Sequence, residues 1–120
     1  NDLMQSLFGA DRDLPAVRAH LDPYAPALYR FLRLTAELAG PGVSRVQLCG
    51  ILPQLPGVLT VLLGLGYRTF SVDVAHAPYL ARTLATRSSA EDRGLAEAVC
   101  AAPSGHAVAD LLGVWHEGRR

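Results

Sequence analysis

The chain has 120 residues, half of them hydrophobic and 18% charged, the composition of one globular domain with a packed core rather than of a disordered tail. Eleven basic residues balance eleven acidic ones, so no diffuse positive field exists to hold nucleic acid or an anionic membrane, and no apolar run reaches the length that crosses a bilayer. Every one of the eleven cations is arginine, which excludes Schiff-base chemistry and a P-loop lysine, and two cysteines, Cys49 and Cys100, are too few for a disulfide framework or a four-cysteine zinc site. Nothing at the start of the chain reads as a signal peptide, and a soluble, cytoplasmic protein is expected.

Leu3, Leu7 and Phe8 share one side of residues 1–10, a short helix that ends at Asp11, Arg12 and Asp13 before Pro15. Pro26 suits a first helical turn, and Leu28, Phe31, Leu32, Thr35 and then Leu38 or Ala39 recur at helical spacing up to Gly40, predicting a helix of about four turns. Residues 45–49 alternate polar and apolar and stop at Gly50, predicting a strand with Cys49 at its carboxyl end. Residues 54–66 leave almost no polar face and predict a helix covered on most sides. A second strand follows at 68–73. Pro78 then opens a helix with Leu80, Ala81 and Leu84 inward, and Ser88 and Glu91 have capping-box spacing ahead of a helix burying Leu95 and Val99. A last helix carries Val108, Leu111, Leu112 and Trp115 on one face.

A helix joining two strands implies a parallel crossover, so the order reads as α/β. Two strands alone have too many open edges for a covered parallel sheet, which leads us to expect the carboxyl-terminal piece of a larger α/β domain, with residues 1–120 in one domain. The unbroken apolar face of 55–65 would seek a partner, and a homodimer is expected.

Taken singly, the chemical candidates have plain readings. Asn1 and Asp2 suit a helix cap, Arg12 a solvated surface charge, and Cys49 a small buried hydrophobe. His20, His76, His106 and His116 read as surface or loop histidines. Taken together, NDLMQ at 1–5, ADR at 10–12, HLDPYAPAL at 20–28, LCG at 48–50 with Pro56 beyond it, LLGLG at 62–66 and FSV at 70–72 resemble the carboxyl end of the phosphoenolpyruvate-binding barrel of Enzyme I, the phosphoenolpyruvate–protein phosphotransferase of the sugar phosphotransferase system. Pyruvate phosphate dikinase and phosphoenolpyruvate synthase share the pattern more loosely.

The resemblance implies the carboxyl-terminal portion of a TIM (βα)8 barrel with extra C-terminal helices, and it implies roles by position. Asp2 would ligate Mg²⁺ with a glutamate from upstream, Asn1 would contact the substrate phosphate, Arg12 would hold the phosphoryl group, and Cys49 would give a proton to C3 of the enolate. The phosphoryl acceptor would be a histidine on another domain, passing the group to a histidine-containing phosphocarrier protein; this portion alone would not turn over phosphoenolpyruvate. One segment departs from the pattern: CGILPQLP has Ile51 and Leu55 where a glutamate and an aspartate are expected. The loss of two acidic groups predicts a weakened or reorganised acid site, or a non-catalytic regulatory or dimerisation homologue.

Overall fold

The computed structural model describes residues 2–116. Seven α-helices and two short strands, with short 3-10 segments between some of them, follow in the order α1 (Asp2–Phe8), α2 (Pro15–Arg18), α3 (Pro26–Ala39), β1 (Gln47–Leu48), α4 (Val58–Gly64), β2 (Thr69–Phe70), α5 (Ala77–Ala85), α6 (Ser89–Ala101) and α7 (Gly105–Leu112). The strands pair in parallel, Gln47 beside Thr69 and Leu48 beside Phe70, with α4 in the crossover between them. The expected β–α–β connection is therefore present, inside a chain that is otherwise helical.

Several boundaries contract. Each strand keeps two residues, because backbone pairing extends only as far as Ser71 N–H donating to the Leu48 carbonyl at 2.9 Å. The helix expected over 54–66 is broken: Leu52–Gln54 form one 3-10 turn and α4 starts at Val58. Pro56 supplies no backbone N–H and disfavours helical backbone in the residue before it, and Leu55 is indeed extended, with ψ 145°.

The core joins α3, α4 and α6 through Leu28, Tyr29, Leu32, Val58, Val61, Leu62, Val99 and Cys100, with Met4 of α1, Tyr67 and Val108 of α7 against it. α4 is apolar all round because it is covered all round. Its tightest approach is to α6 at Gly64, where a β-carbon would overlap the Asp92 carbonyl oxygen and crowd the Ala96 side chain; only glycine lets the backbones meet there. The surface expected to drive association is thus buried within the chain. The radius of gyration, 14.0 Å, is close to the value of about 13.6 Å for a folded chain of this length, so the described residues close around their own core.

Three predicted faces hold only in part. On α3, Leu28, Tyr29, Leu32 and Ala36 point inward, whereas Phe31, Leu34 and Leu38 are 40%, 51% and 81% exposed. The helix carries apolar residues on two faces, and periodicity does not say which one its neighbours cover. On α5 only Leu80 is buried, with Ala81 and Leu84 outside. α7 stops at Leu112 through the left-handed Gly113, so Val108 and Leu112 pack on the core while Leu111 and Trp115 are exposed.

The polar fixings are sparse. Ser88 and Glu91 form the predicted capping box at the start of α6. Buried Asp92 pairs with Arg87 at 2.7 Å, satisfying a charge that would otherwise be costly to bury. At the other end of α6, Arg30 of α3 donates from Nε to the Cys100 carbonyl at 2.7 Å and from Nη2 to the Ala102 carbonyl at 2.8 Å. A cation on otherwise unpaired terminal carbonyls ties the two helices together. No helix among the described residues is long and apolar enough to cross a membrane.

Candidate functional site

β1 delivers Cys49 to the carboxyl end of the parallel pair, and the chain turns at once through Gly50, whose φ of +94° suits glycine and few other residues. The thiol side chain is exposed rather than sealed among aliphatic groups, unlike that of Cys100, which is buried in α6 and has its pKa pushed up by that burial. Cys49 opens onto a cavity of about 280 Å³ whose walls are Leu3 and Met4 of α1, Leu28 and Leu32 of α3, Leu48 and Leu52; its polar lining is Cys49, Gln47 and Asp2. Asp2, distant in the chain, is therefore brought to the same cavity as the thiol.

α1 places Asp2 in its first turn, where a carboxylate is favoured by the positive end of the helix dipole. Asp2 also lines a shallow second recess with Gln5, Ser6, Gly9, Ala10 and Asp11. Arg12 stands just beyond this recess, exposed and outside the cavity that holds Cys49. Its loop is fastened to α1 by its own backbone N–H, which donates to Gln5 Oε1 at 2.9 Å. Among the described residues neither the Asp2 carboxylate nor the Arg12 guanidinium has an ion-pair partner. Asn1 lies outside the described residues. The structure thus joins Cys49 with Asp2, and links Arg12 to them only by way of α1.

Sequence reasoning missed two glutamines here. Gln5 anchors the Arg12 loop, and Gln54 bridges the loops that leave the two strands, accepting from the Asp73 backbone N–H and donating to the Gly50 carbonyl. Gln5 stands in the NDLMQ string with no role of its own there, and the bond that makes Gln54 a bridge, to Asp73 nineteen residues on, is set by tertiary placement.

A second polar cluster forms away from this cavity. His116 Nε2 lies 3.0 Å from Asp22 Oδ2 and edge-on to Tyr24, and His106 lies 3.4 Å from Asp110. Burial and the Asp22 carboxylate raise the Tyr24 pKa. His20 and His76 are exposed as expected, but His106 and His116 are half-buried and engaged. Among the described residues no three His, Cys, Asp or Glu side chains gather closely enough to hold a metal by themselves.

Residues 1–89, which include α1, both strands and the Cys49 turn, match the model of the family described as PEP-utilising enzyme, PEP-binding domain. The chain belongs to this family. Among its curated relatives, the phosphoenolpyruvate-protein phosphotransferase of Streptomyces coelicolor is 38% identical over 104 residues, covering 87% of this chain and 19% of that protein. The phosphoenolpyruvate-dependent phosphotransferase system protein of Salmonella typhimurium is 35% identical over 99 residues, 73% of this chain and 13% of the relative. Multiphosphoryl transfer protein 1 of Escherichia coli is 30% identical over 112 residues, 93% of this chain and 14% of the relative. The resemblance to the carboxyl-terminal PEP-binding domain of Enzyme I is therefore shown, and the chain spans a fifth or less of the length of these relatives.

Proposed function

We propose that this PEP-binding domain serves a phosphotransferase that takes the phosphoryl group of phosphoenolpyruvate, hands it to a histidine on another domain, and passes it to a histidine-containing phosphocarrier protein of the sugar phosphotransferase system. The observation that carries the reading is the one cavity that Cys49 and Asp2, far apart in the chain, both line. In this reading the chain is the carboxyl-terminal portion of a (βα)8 barrel in a cytoplasmic enzyme. β1 and β2 pair only with each other among the described residues, leaving outer edges on which further strands could be added.

The roles divide by chemistry. The phosphoryl acceptor nitrogen attacks phosphorus, the bond to the enol oxygen breaks, and the enolate that leaves takes a proton at C3 from the Cys49 S–H, giving pyruvate and a thiolate. Arg12 presents a planar fork suited to phosphoryl oxygens. The Asn1 side chain would contact the substrate phosphate. Asp2 is exposed and without an ion-pair partner among the described residues, which suits one carboxylate of a Mg²⁺ site that a glutamate from upstream and substrate and water oxygens would complete. When bound, Mg²⁺ supplies neutralisation of the charge on the transferring group.

The test is phosphoenolpyruvate-dependent phosphorylation of a carrier protein by the full-length protein. Cys49→Ala is expected to lower the rate by about 10²-fold or more, the usual worth of a positioned general acid; full activity in that variant removes Cys49 from the mechanism. The homodimer belongs to the same proposal. With α4 covered, one exposed apolar stripe that could serve it is Phe31, Leu34 and Leu38 of α3, and sedimentation velocity measures the association.

A further inference from the structure

The turn that follows Cys49 contains one polar side chain that the mechanism above leaves unused. In the run Ile51–Leu52–Pro53–Gln54–Leu55–Pro56 only Gln54 can form side-chain hydrogen bonds, and it forms two of them at once. Its Nε2 donates to the Gly50 carbonyl at 3.1 Å, and its Oε1 accepts from the Asp73 backbone N–H at 3.1 Å. Gly50 follows Cys49 directly, and Asp73 lies in the loop after β2. One primary amide therefore spans the two loops at the carboxyl ends of the parallel strands. The strand ladder reaches only to Ser71 and Leu48, so beyond it this amide continues the tie between the two chain segments. The Asp73 carboxylate is itself engaged, accepting from the Ala75 backbone N–H at 2.9 Å, which holds that loop in a fixed turn.

The demand falls on the peptide beside the thiol. Gly50 has φ +94° and no side chain of its own, so the Cys49–Gly50 turn has backbone freedom that only an external bond removes. Ile51, 47% exposed, and Leu55 offer no polar atom to do it. An amide is the group that can, because it carries a donor and an acceptor at one chain end; a glutamate would keep the bond from Asp73 but repel the Gly50 carbonyl, and a methionine would lose both.

We infer that Gln54 is a positioning residue for the Cys49 thiol: by holding the Gly50 carbonyl in register with the loop after β2, it aims the side chain of Cys49 into the cavity shared with Asp2. This rests on the reading of Cys49 as the proton donor to the enolate. Gln54 touches no reacting atom. It acts through the backbone of the turn, where a displacement of about 1 Å is enough to slow a proton transfer strongly.

The experiment compares Gln54→Met, Gln54→Glu and Cys49→Ala in the full-length protein, with pyruvate formation, melting temperature and Cys49 alkylation by iodoacetamide as readouts. Alkylation is mapped by mass spectrometry on the native protein, where Cys100 is buried. Gln54→Met is expected to lower kcat about tenfold with KM within about twofold, the signature of a group that matters in the transition state rather than in binding. Its Cys49 alkylation rate is expected to change about threefold or more as thiol exposure and orientation change. Gln54→Glu, which keeps one bond, falls between wild type and Gln54→Met, and it carries the test if Gln54→Met fails to fold. The inference is overturned if kcat and alkylation stay at wild-type values in both Gln54 variants while Cys49→Ala is inactive, a result that leaves the proposed function standing. It is also overturned if kcat and KM decline only in step with melting temperature. Full activity in Cys49→Ala instead overturns the proton-donor reading, and the alkylation rates then decide by themselves whether Gln54 places the thiol.

Discussion

Leu62 in α4 and Cys49 at the end of β1 lie close in the chain, yet the first is fully buried and the second exposed. Around Leu62 the neighbours are closely packed, mostly apolar side chains of the α3–α4–α6 core; around Cys49 they are a glycine turn, one bridging amide and an open cavity. The contrast separates two kinds of dependence. The helical core is held by contact, so any change of volume is felt as stability. The strand-end rim is held by a few directed hydrogen bonds, so changes there alter where a group points while costing the fold little.

The strongest way to break this comparison is at the α4–α6 crossing. Gly64→Ala sets a methyl group into the Asp92 carbonyl and the Ala96 side chain, and is expected to cost about 3 kcal/mol or more, a fall of about 10 °C or more in Tm by calorimetry. A wild-type Tm in that variant would mean the helices are not in close contact. Next in size is Tyr29→Phe. The Tyr29 hydroxyl donates to the Pro23 carbonyl at 2.7 Å, and its removal is expected to cost about 1 to 2 kcal/mol.

Tyr29 also sets a pH dependence. Burial, and then the neighbouring Tyr24 and Asp22, raise its pKa well above the ordinary value of 10.0. A phenol whose folded pKa exceeds the unfolded one contributes stability that is whole below the unfolded value and is lost as pH rises beyond it, because only the unfolded chain ionises there. Thermal melts are expected to hold steady up to about pH 10 and to fall above it, more gently in Tyr29→Phe than in wild type. Equal alkaline slopes in the two proteins would show that Tyr29 is not the group responsible.

Ser88→Ala removes half of the capping box at the start of α6 and is expected to cost about 1 kcal/mol in denaturant unfolding. The smallest effect on stability, and the sharpest test of the contrast, is Ile51→Glu. Ile51 is nearly half exposed beside Cys49, so restoring an acidic group there is expected to move stability by about 0.5 kcal/mol or less, while changing the turnover of the full-length protein. A large loss of stability in Ile51→Glu would place the rim inside the cooperative core.

How much of this was legible in the chain depends on the range of the forces involved. Pro26, Pro78 and the Ser88–Glu91 pair announced helix starts because capping acts within one turn, and all three are observed. The inward face of α3 was read too wide: Leu28 and Leu32 are buried as expected, but Phe31 and Leu38, which obey helical spacing as well, are exposed. Spacing identifies a helix, and only its neighbours decide which apolar stripe is covered. Cys49 was marked by its place after a strand and before glycine, whereas Gln54 stood in a segment that looked like lost function.

Residue order by itself determined the β–α–β order, the capped start of α6, the apolar character of α4 and the family, since each is written in short-range pattern or in motifs that survive as strings. Tertiary structure alone decided that α4 is covered from within, that Asp2 and Cys49 open onto one cavity, and that Gln54 ties Gly50 to Asp73. Those facts depend on distances between residues far apart in the chain, and such distances exist only once hydrophobic burial has folded the helices together.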